Sequence, residues 1–318
     1  MPVLLLSEDD VRRVLTMDLA LTAVEAAFRK LALDEAVNIP RQRCQTDSVM
    51  LHVLPAAAKT LGALGFKAYT TGRFYPQFKI YLFDAKAGGL TAILDADHLG
   101  QVRTGAASGV ATKKLARADA HTVGMIGTGR QARTQLEAIC KVRSIQSAKV
   151  YGRDESRRGA FATEMSDVCG VAVEPVTTAR DAVVNRDIVV TATSSREPVL
   201  LGEWLAPGTH VNLMGSNYLA SAEADAEVFR RAKLVTIDSK DQGRMEAGDF
   251  VAATGEHVMS WPDIKEFAHV LVNRYPGRES PDDITVFKSL GLGIQDIAVG
   301  VKVVEQARAH GLGREVEM

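Results

Sequence analysis

The segment 121–136 constrains the fold of this chain more than any other part of its sequence. It begins as a short apolar run, breaks at Gly127-Thr128-Gly129 and continues with apolar residues at helical spacing. Two closely spaced glycines can occur in any tight turn. Between a buried strand and a helix, however, they let the backbone approach a pyrophosphate, which the free N–H groups of the helix N-terminus can bind. Ala132 is small enough for close packing of helix on strand, so the segment predicts a dinucleotide-binding turn.

The chain after this turn alternates between strand-like and helix-like segments. The predicted strands are 123–126, 148–151, 172–176, 187–193, 210–214 and 233–238, and the predicted helices include 179–185 and 222–231. This alternation is the pattern of a doubly wound parallel sheet. We therefore predict an α/β fold with a Rossmann domain in this part of the chain.

The first third of the chain has a different pattern. Ser7, followed three residues later by Asp10, predicts a capped helix start, and apolar spacing predicts an amphipathic helix within 17–35. Strand-like segments then follow, ending in a predicted hairpin of 78–83 with 90–94. Helices followed by antiparallel strands predict an α+β domain.

Composition excludes several classes of protein. The chain has 318 residues and a formal net charge of -1, which gives no basic surface for nucleic acid or an anionic membrane. Three widely spaced cysteines argue against a disulfide framework or a zinc site, and the seven histidines show no metal-ligand spacing. The first ten residues have no basic segment and only a short apolar run, so we expect no signal peptide, and we expect no membrane span because no segment is long enough. We expect a cytoplasmic protein that binds small molecules, with no metal, nucleic acid or membrane partner.

Four cations, Arg41, Arg43, Lys67 and Arg103, lie in predicted strands or at a helix start rather than on a polar helix face. Each could be an ordinary surface charge. Lys67 is the least ordinary, because its strand is otherwise apolar and a buried ammonium costs several kcal/mol unless it is paired. Together the four predict a site for a substrate that carries a carboxylate.

Small polar residues follow two predicted strands of the Rossmann domain, at 191–195 and at Gly215-Ser216-Asn217. Such residues at the carboxyl ends of parallel strands meet the ligand of a doubly wound sheet. Asn217 could instead serve only as a turn residue.

The end of the predicted strand 148–151 bears on the choice of nucleotide. NAD-specific Rossmann domains usually have an acid there, which accepts hydrogen bonds from the ribose, whereas this chain has Gly152-Arg153-Asp154. Arg153 could pair with a 2′-phosphate or could lie solvated in a loop, and Asp154 could turn inward and bind NAD. We predict that NADP(H) is preferred and that NAD(H) is possible.

Several spaced segments give the chain a resemblance to the ornithine cyclodeaminase/mu-crystallin family. They are 40–43, 65–67, 102–107, 127–132, 191–193, 212–215 and 285–291. The resemblance covers almost the whole chain. It implies a homodimer in which residues 1–118 form a substrate and dimerisation domain, 119–294 form the Rossmann domain, and a helix within 295–318 returns to the first domain.

The resemblance also implies roles for individual residues. Lys67 is the expected catalytic residue, acting on the substrate nitrogen, and Arg103 with Arg41 or Arg43 is expected to bind the carboxylate. The expected cofactor contacts are Thr104, Gly127, Thr128, Gly129, Arg130, Gln131, Thr193, Met214 and Ser289, in addition to Arg153.

The family resemblance leaves three functions open. The first is an NAD(P)H-dependent oxidoreductase that transfers hydride at the α-carbon of an imino or amino acid. The second is an ammonia-eliminating cyclodeaminase with catalytic NAD, and the third is a binding protein without activity. Ornithine cyclodeaminases have an aspartate where this chain has Asn217. An amide cannot take up a proton near neutral pH, so Asn217 cannot be the acid or base that cyclisation needs, and we expect the first function to hold. We expect Asn217 to contact the substrate instead.

Overall fold

The computed structural model describes residues 2–73 and 75–317. The chain divides into two compact units. The first unit is Met1–Arg103 with Gly291–Met318, and the second unit is Thr104–Leu290. The bounds expected from the sequence, 118 and 295, both lie later in the chain. The difference at the first bound arises because one long helix, 97–115, begins in the first unit and continues into the second.

The strands, in chain order, are β1 (Val3–Leu6), β2 (Ala36–Asn38), β3 (Gln42–Gln45), β4 (Val49–Ala58), β5 (Ala63–Gly72), β6 (Phe78–Asp84), β7 (Leu90–Asp95), β8 (Thr122–Ile126), β9 (Ser147–Tyr151), β10 (Ala172–Pro175), β11 (Ile188–Thr191), β12 (His210–Leu213), β13 (Ala232–Ile237), β14 (Lys265–Glu266), β15 (Ile284–Lys288) and β16 (Arg314–Val316). The helices are α1 (Glu8–Val14), α2 (Met17–Ala32), α3 (Asp97–Leu115), α4 (Arg130–Val142), α5 (Glu155–Cys169), α6 (Ala179–Val183), α7 (Ala226–Arg231), α8 (Lys240–Glu246), α9 (Asp249–Gly255), α10 (Phe267–Leu271) and α11 (Gly293–Ala309). None of the helices in these described ranges is long and apolar enough to cross a membrane.

The first unit is built on a sheet with the order β16-β1-β7-β6-β5-β4-β2, in which β3 also pairs with β4. Its pairs are antiparallel except for β1 with β7. One face of this sheet is buried, through Leu54, Ile80, Leu82 and Leu94, and α11 packs against its central strands. The predicted hairpin of β6 and β7 is confirmed, as is the capped start of α1.

Helix α11 lies unusually close to that sheet. A Cβ at Gly293 would lie 2.6 Å from the carbonyl oxygen of Leu54, and Ile297 reaches Gly65 on the next strand. The absence of side chains at Gly293 and Gly65 permits this approach. One turn of helix after Gly293, Asp296 is therefore brought to the same face of the sheet.

The second unit contains a parallel sheet with the order β10-β9-β8-β11-β12-β15-β13-β14. The chain moves outward from β8 through β9 to β10, then returns to pair β11 with the other side of β8. This reversal is the switch point at which doubly wound sheets bind ligands, and it confirms the α/β Rossmann prediction. The small residues of α3 pack directly on α4, where Gly105 contacts the carbonyl of Thr134.

Some elements differ from the sequence predictions. Helix α5 has no predicted counterpart, because its sequence has only a weak apolar stripe, formed mainly by Phe161, Ala162 and Met165. Helix α7 begins at Ala226 rather than 222, because the Asp225 side chain caps it by accepting a hydrogen bond from the Val228 N–H.

Candidate active site

A buried cluster of charges lies on the covered face of the first unit's sheet. Lys67 on β5 places its Nζ 3.1 Å from Oδ1 of Asp296, and the same oxygen accepts a hydrogen bond from Arg103 Nε at 2.9 Å. Arg103 Nη1 also donates to Gln295 Oε1 at 3.2 Å. The side chains of Lys67, Arg103 and Asp296 are 4%, 8% and 0% exposed. The carboxylate thus joins two cations that are far apart in sequence.

Two glycines provide room for these cations. A Cβ at Gly100 would lie 2.7 Å from Lys67 Nζ, and a Cβ at Gly291 would lie 2.7 Å from Arg103 Nη1. Gly291 also has a φ of +80°, in the region that favours glycine. Any other residue at either position would push a cation out of place.

The pKa of Lys67 is lowered from its ordinary value to about 8. Burial is the main cause, since it disfavours the charged form, and the positive charges of Arg103 and Arg41 lower the pKa further. The charge of Asp296 acts in the opposite direction. A lysine with a pKa this close to neutrality can donate or accept a proton under physiological conditions.

Arg41 and Arg43 occupy different places. Arg41 is 4% exposed and donates to the carbonyl of Gly291, next to the Arg103 side chain. Arg43 pairs in register with His52 on β4. Burial, together with the charges of Arg43 and Arg41, lowers the pKa of His52 to about 4, so this imidazole is neutral at pH 7. Of the two arginines, Arg41 contributes a positive charge that lowers the pKa of Lys67.

Aromatic rings extend this surface beside Lys67. The rings of His52 and Tyr69 stack with centroids 4.3 Å apart, and those of Tyr69 and Phe78 stack at 5.0 Å. Lys67 Nζ lies 5.8 Å from the centroid of the Tyr69 ring and 5.5 Å from that of Phe78. A substrate bound at the cations would therefore meet a flat aromatic wall.

The predicted nucleotide turn has the geometry that a pyrophosphate needs. Gly127 has a φ of +111° and lies against the carbonyl of Ala192, a position that excludes a side chain. Gly129 is the N-cap of α4 and supplies no side-chain hydrogen bond to the helix, and a Cβ added to it would meet nothing within 4 Å. The open space at Gly129 and the N–H groups of the first turn of α4 together fit a bound dinucleotide phosphate.

Most of the predicted cofactor residues gather at one edge of the second sheet. The last residues of four adjacent strands, Ile126, Thr191, Leu213 and Lys288, are partners in register. The residues that follow these strand ends include Gly127, Thr128, Gly129, Arg130, Gln131, Thr193, Met214, Asn217 and Ser289. Thr104, on α3, is held by a hydrogen bond from Gln135 Nε2 to its carbonyl. Asn217, expected to contact substrate, belongs to the second unit, whereas Lys67 belongs to the first.

Sequence analysis missed Glu223, which connects the loops after β11 and β12. Its buried carboxylate accepts hydrogen bonds from the Thr193 N–H and hydroxyl at 2.7 and 2.8 Å and from the Gly215 N–H at 2.6 Å. Thr191 donates to Oε2, the oxygen that also accepts the Gly215 N–H, and burial raises the pKa of this acid. Glu223 therefore fixes the position of Thr193, a predicted cofactor contact.

A second buried ion pair, between Lys288 and Asp249, is hydrogen-bonded to the backbone of Glu223. Lys288 Nζ is 2.6 Å from Oδ2 of Asp249, and both side chains are 0% exposed. Asp249 Oδ1 accepts hydrogen bonds from the N–H groups of Glu223 and Ala224. Lys288 also donates to the carbonyl of Ser216. Lys288, like Lys67, is a lysine in an otherwise apolar strand, so the pattern that identified Lys67 is also present here.

The acid that follows β9, Asp154, is engaged as a helix cap. Asp154 is the N-cap of α5 and accepts a hydrogen bond from the Arg157 N–H at 2.9 Å. Arg158 turns back and donates to the carbonyl of Gly152, whereas Arg153 is exposed. The alternative in which Asp154 turns inward is therefore not the arrangement in this structure.

The sequence profile of the ornithine cyclodeaminase/mu-crystallin family matches residues 2–311. A Δ1-pyrroline-2-carboxylate reductase of Bacillus cereus is 32% identical, and the match covers 99% of both chains. Among solved structures, that of Thermococcus litoralis Δ1-pyrroline-2-carboxylate reductase with NADH and L-proline has a TM-score of 0.93 and 35% identity, covering 99% of this chain and 100% of that one. An archaeal alanine dehydrogenase dimer with bound NAD has a TM-score of 0.94 and 32% identity, with both chains covered completely.

Proposed function

This chain belongs to the ornithine cyclodeaminase/mu-crystallin family, and we propose that it is an NAD(P)H-dependent reductase of imino acids or a dehydrogenase of amino acids. The observation that carries the proposal is the buried Lys67, with its pKa of about 8 and its position among carboxylate-binding cations. Relatives that reduce a C=N bond beside a carboxylate, or oxidise the corresponding amine, support the same chemistry.

The first unit contains the groups that such a reaction requires for substrate. We assign Arg103 and Arg41 to the α-carboxylate, because both guanidinium groups lie beside Gly291. Arg43 lies in register with His52, so we assign it to the substrate side chain. In the reductive direction the C=N π bond breaks, the carbon gains a hydride and the nitrogen gains a proton. Lys67 gives that proton from Nζ and regains one from solvent.

The second unit contains a turn that fits a dinucleotide. Gly127, Thr128, Gly129 and the first turn of α4 would hold the pyrophosphate, and Thr193, Met214 and Ser289, which follow neighbouring strand ends, would contact the rest of the dinucleotide. A bound dihydronicotinamide supplies the hydride. Glu223 has a supporting role here, since it fixes the Thr193 loop before any ligand binds.

A screen of substrates tests the proposed function. We expect oxidation of NADPH or NADH with cyclic imines such as 1-pyrroline-2-carboxylate and 1-piperideine-2-carboxylate, or with 2-oxo acids in the presence of an amine. We expect no proline and no ammonia from L-ornithine with NAD, because Asn217 cannot exchange a proton near neutral pH. Rapid formation of both products would favour the cyclodeaminase alternative. Ligand binding without turnover of any compound would favour a binding protein.

We also propose that NADPH is preferred over NADH. The exposed Arg153 follows β9 where an acid would bind the ribose, and Asp154 is occupied as a helix cap. The Arg153→Ala variant should lose about tenfold or more in kcat/KM for NADPH and change by less than about twofold for NADH. Arg230→Ala, which removes an exposed arginine that pairs with Glu227 on α7, is the matched control. A wild-type protein with equal or better kcat/KM for NADH would contradict this preference.

A homodimer formed through the first unit is part of the same proposal. The face of its sheet opposite α11 carries Leu51 and Leu64, which are exposed by 40% and 39%, beside the stacked rings of Phe66 and Tyr81. An apolar sheet face of this kind is typical of a surface buried between subunits. The dimeric alanine dehydrogenase relative supports the assignment.

A further inference from the structure

We propose that Asp296 is a positioning residue for this reaction, because it holds the Lys67 ammonium and the Arg103 guanidinium on one carboxylate oxygen. The inference rests on the proposed function, and it assigns a role to a residue that neither the glycine turn nor the four cations revealed.

Asp296 binds both cations through the same carboxylate oxygen. Its Oδ1 lies 3.1 Å from Lys67 Nζ and 2.9 Å from Arg103 Nε, whereas its Oδ2 is buried and accepts no hydrogen bond from the residues that the structure describes. A buried carboxylate with an unused oxygen is costly, and such a group is retained where its charge has a function.

Asp296 is a charged residue buried among apolar side chains of its helix. It lies in the first turns of α11 between Ile294 and Ile297, all of them fully buried. The close packing of Gly293 on β4 fixes the start of the helix against the sheet. Asp296 consequently reaches Lys67 from a rigid element, as a residue that sets the geometry of a site must.

The other groups that face Lys67 come from β5, β6 and α3. The neighbouring rings of Tyr69 and Phe78 carry no charge at neutral pH, and α3 contributes Arg103 and the small Gly100. Arg41 adds a second positive charge. Among the described groups that change the pKa of Lys67, Asp296 is the one that raises it, and burial, Arg103 and Arg41 all lower it.

The direction of the pH effect follows from this balance. A proton donor is active below its pKa and inactive above it, so reduction by the wild-type protein should decline as the pH rises through about 8. Removing the charge of Asp296 leaves only effects that lower the pKa of Lys67. The decline should then begin at a lower pH.

The test compares Asp296→Asn with Asp296→Glu in the full-length protein, with Glu305→Gln as a control on the exposed side of the same helix. In Asp296→Asn the midpoint of the kcat decline should fall by about one pH unit or more, and KM should rise about tenfold as Arg103 loses its anchor. Asp296→Glu keeps the charge and should keep the wild-type midpoint. Glu305→Gln should match the wild type in both quantities.

A second readout does not require turnover. The ¹³Cε resonance of Lys67, assigned by its absence in Lys67→Arg, reports the protonation of this one side chain in labelled protein. Its titration midpoint should shift downward in Asp296→Asn by the same amount as the kinetic midpoint. If the wild type reduces no imine at all, the proposed function fails, while this titration still decides the role of Asp296.

Lower activity in Asp296→Asn with unchanged kinetic and NMR midpoints would mean that Asp296 only supports the fold, and it would overturn the proposal. If Asp296→Asn does not fold, the double variant Asp296→Asn/Arg103→Gln replaces it and is compared with Arg103→Gln alone. Arg103→Gln keeps the Asp296 charge beside Lys67, so the Lys67 midpoint should be lower in the double variant than in Arg103→Gln. Equal midpoints in these two variants would equally overturn the proposal.

Discussion

Replacing Lys67 by methionine should lower kcat for imine reduction by about 10²–10⁴-fold, the usual range for loss of a general acid. Methionine keeps most of the volume of the lysine chain, so the sheet and α11 should pack as before. Asp296 keeps its hydrogen bond from Arg103 and is not left as an unpaired buried charge. The Kd for NADPH should change by less than about twofold, since Lys67 and the nucleotide turn belong to different units.

Lys79→Met is the matched control for this variant. Lys79 lies on β6 of the same sheet, is 40% exposed and pairs with Asp95. Its replacement should leave kcat within about twofold of the wild type, as expected for a partly exposed ion pair. A Lys67→Met protein with near-normal kcat would remove Lys67 from the mechanism and leave its burial unexplained.

The features that the sequence predicted correctly depend on local patterns. The strand and glycine turn before α4 lie within a few residues of one another, and the alternation that follows needs no knowledge of distant contacts. Lys67 could be selected for the same reason, because its apolar neighbours on β5 are adjacent in sequence. These local patterns were sufficient to predict the Rossmann unit and to select Lys67 as a candidate site residue.

The features that the sequence did not reveal depend on contacts between distant residues. Asp296 is 229 positions from Lys67, and only the close packing of α11 on the sheet brings them together. The sequence pattern placed Glu223 in a predicted helix. Its hydrogen bonds to the loops after β11 and β12 become visible only once these two strands are paired. The different surroundings of Arg41 and Arg43 likewise depend on Gly291, far along the chain.

Breaking the buried pair of Lys288 and Asp249 should have the largest effect on stability. Lys288→Met leaves the Asp249 carboxylate buried without its cation, and loss of one partner from such a pair costs about 3–5 kcal/mol of the free energy of unfolding. Both tryptophans of the chain, Trp204 and Trp261, lie in the second unit, so their fluorescence during urea unfolding reports the unit that contains this pair.

The double variant Lys288→Met/Asp249→Asn separates charge from packing. Asparagine keeps an oxygen that can accept the N–H groups of Glu223 and Ala224, and it removes the uncompensated charge. The double variant should therefore recover more than about half of the stability lost in Lys288→Met, since desolvation of a lone carboxylate is the main cost. Lys302→Met, in an exposed pair with Glu305, should change the free energy of unfolding by less than about 0.5 kcal/mol. A double variant as unstable as Lys288→Met would show that the hydrogen bond from Lys288 to the Ser216 carbonyl, rather than the ion pair, stabilises this edge of the sheet.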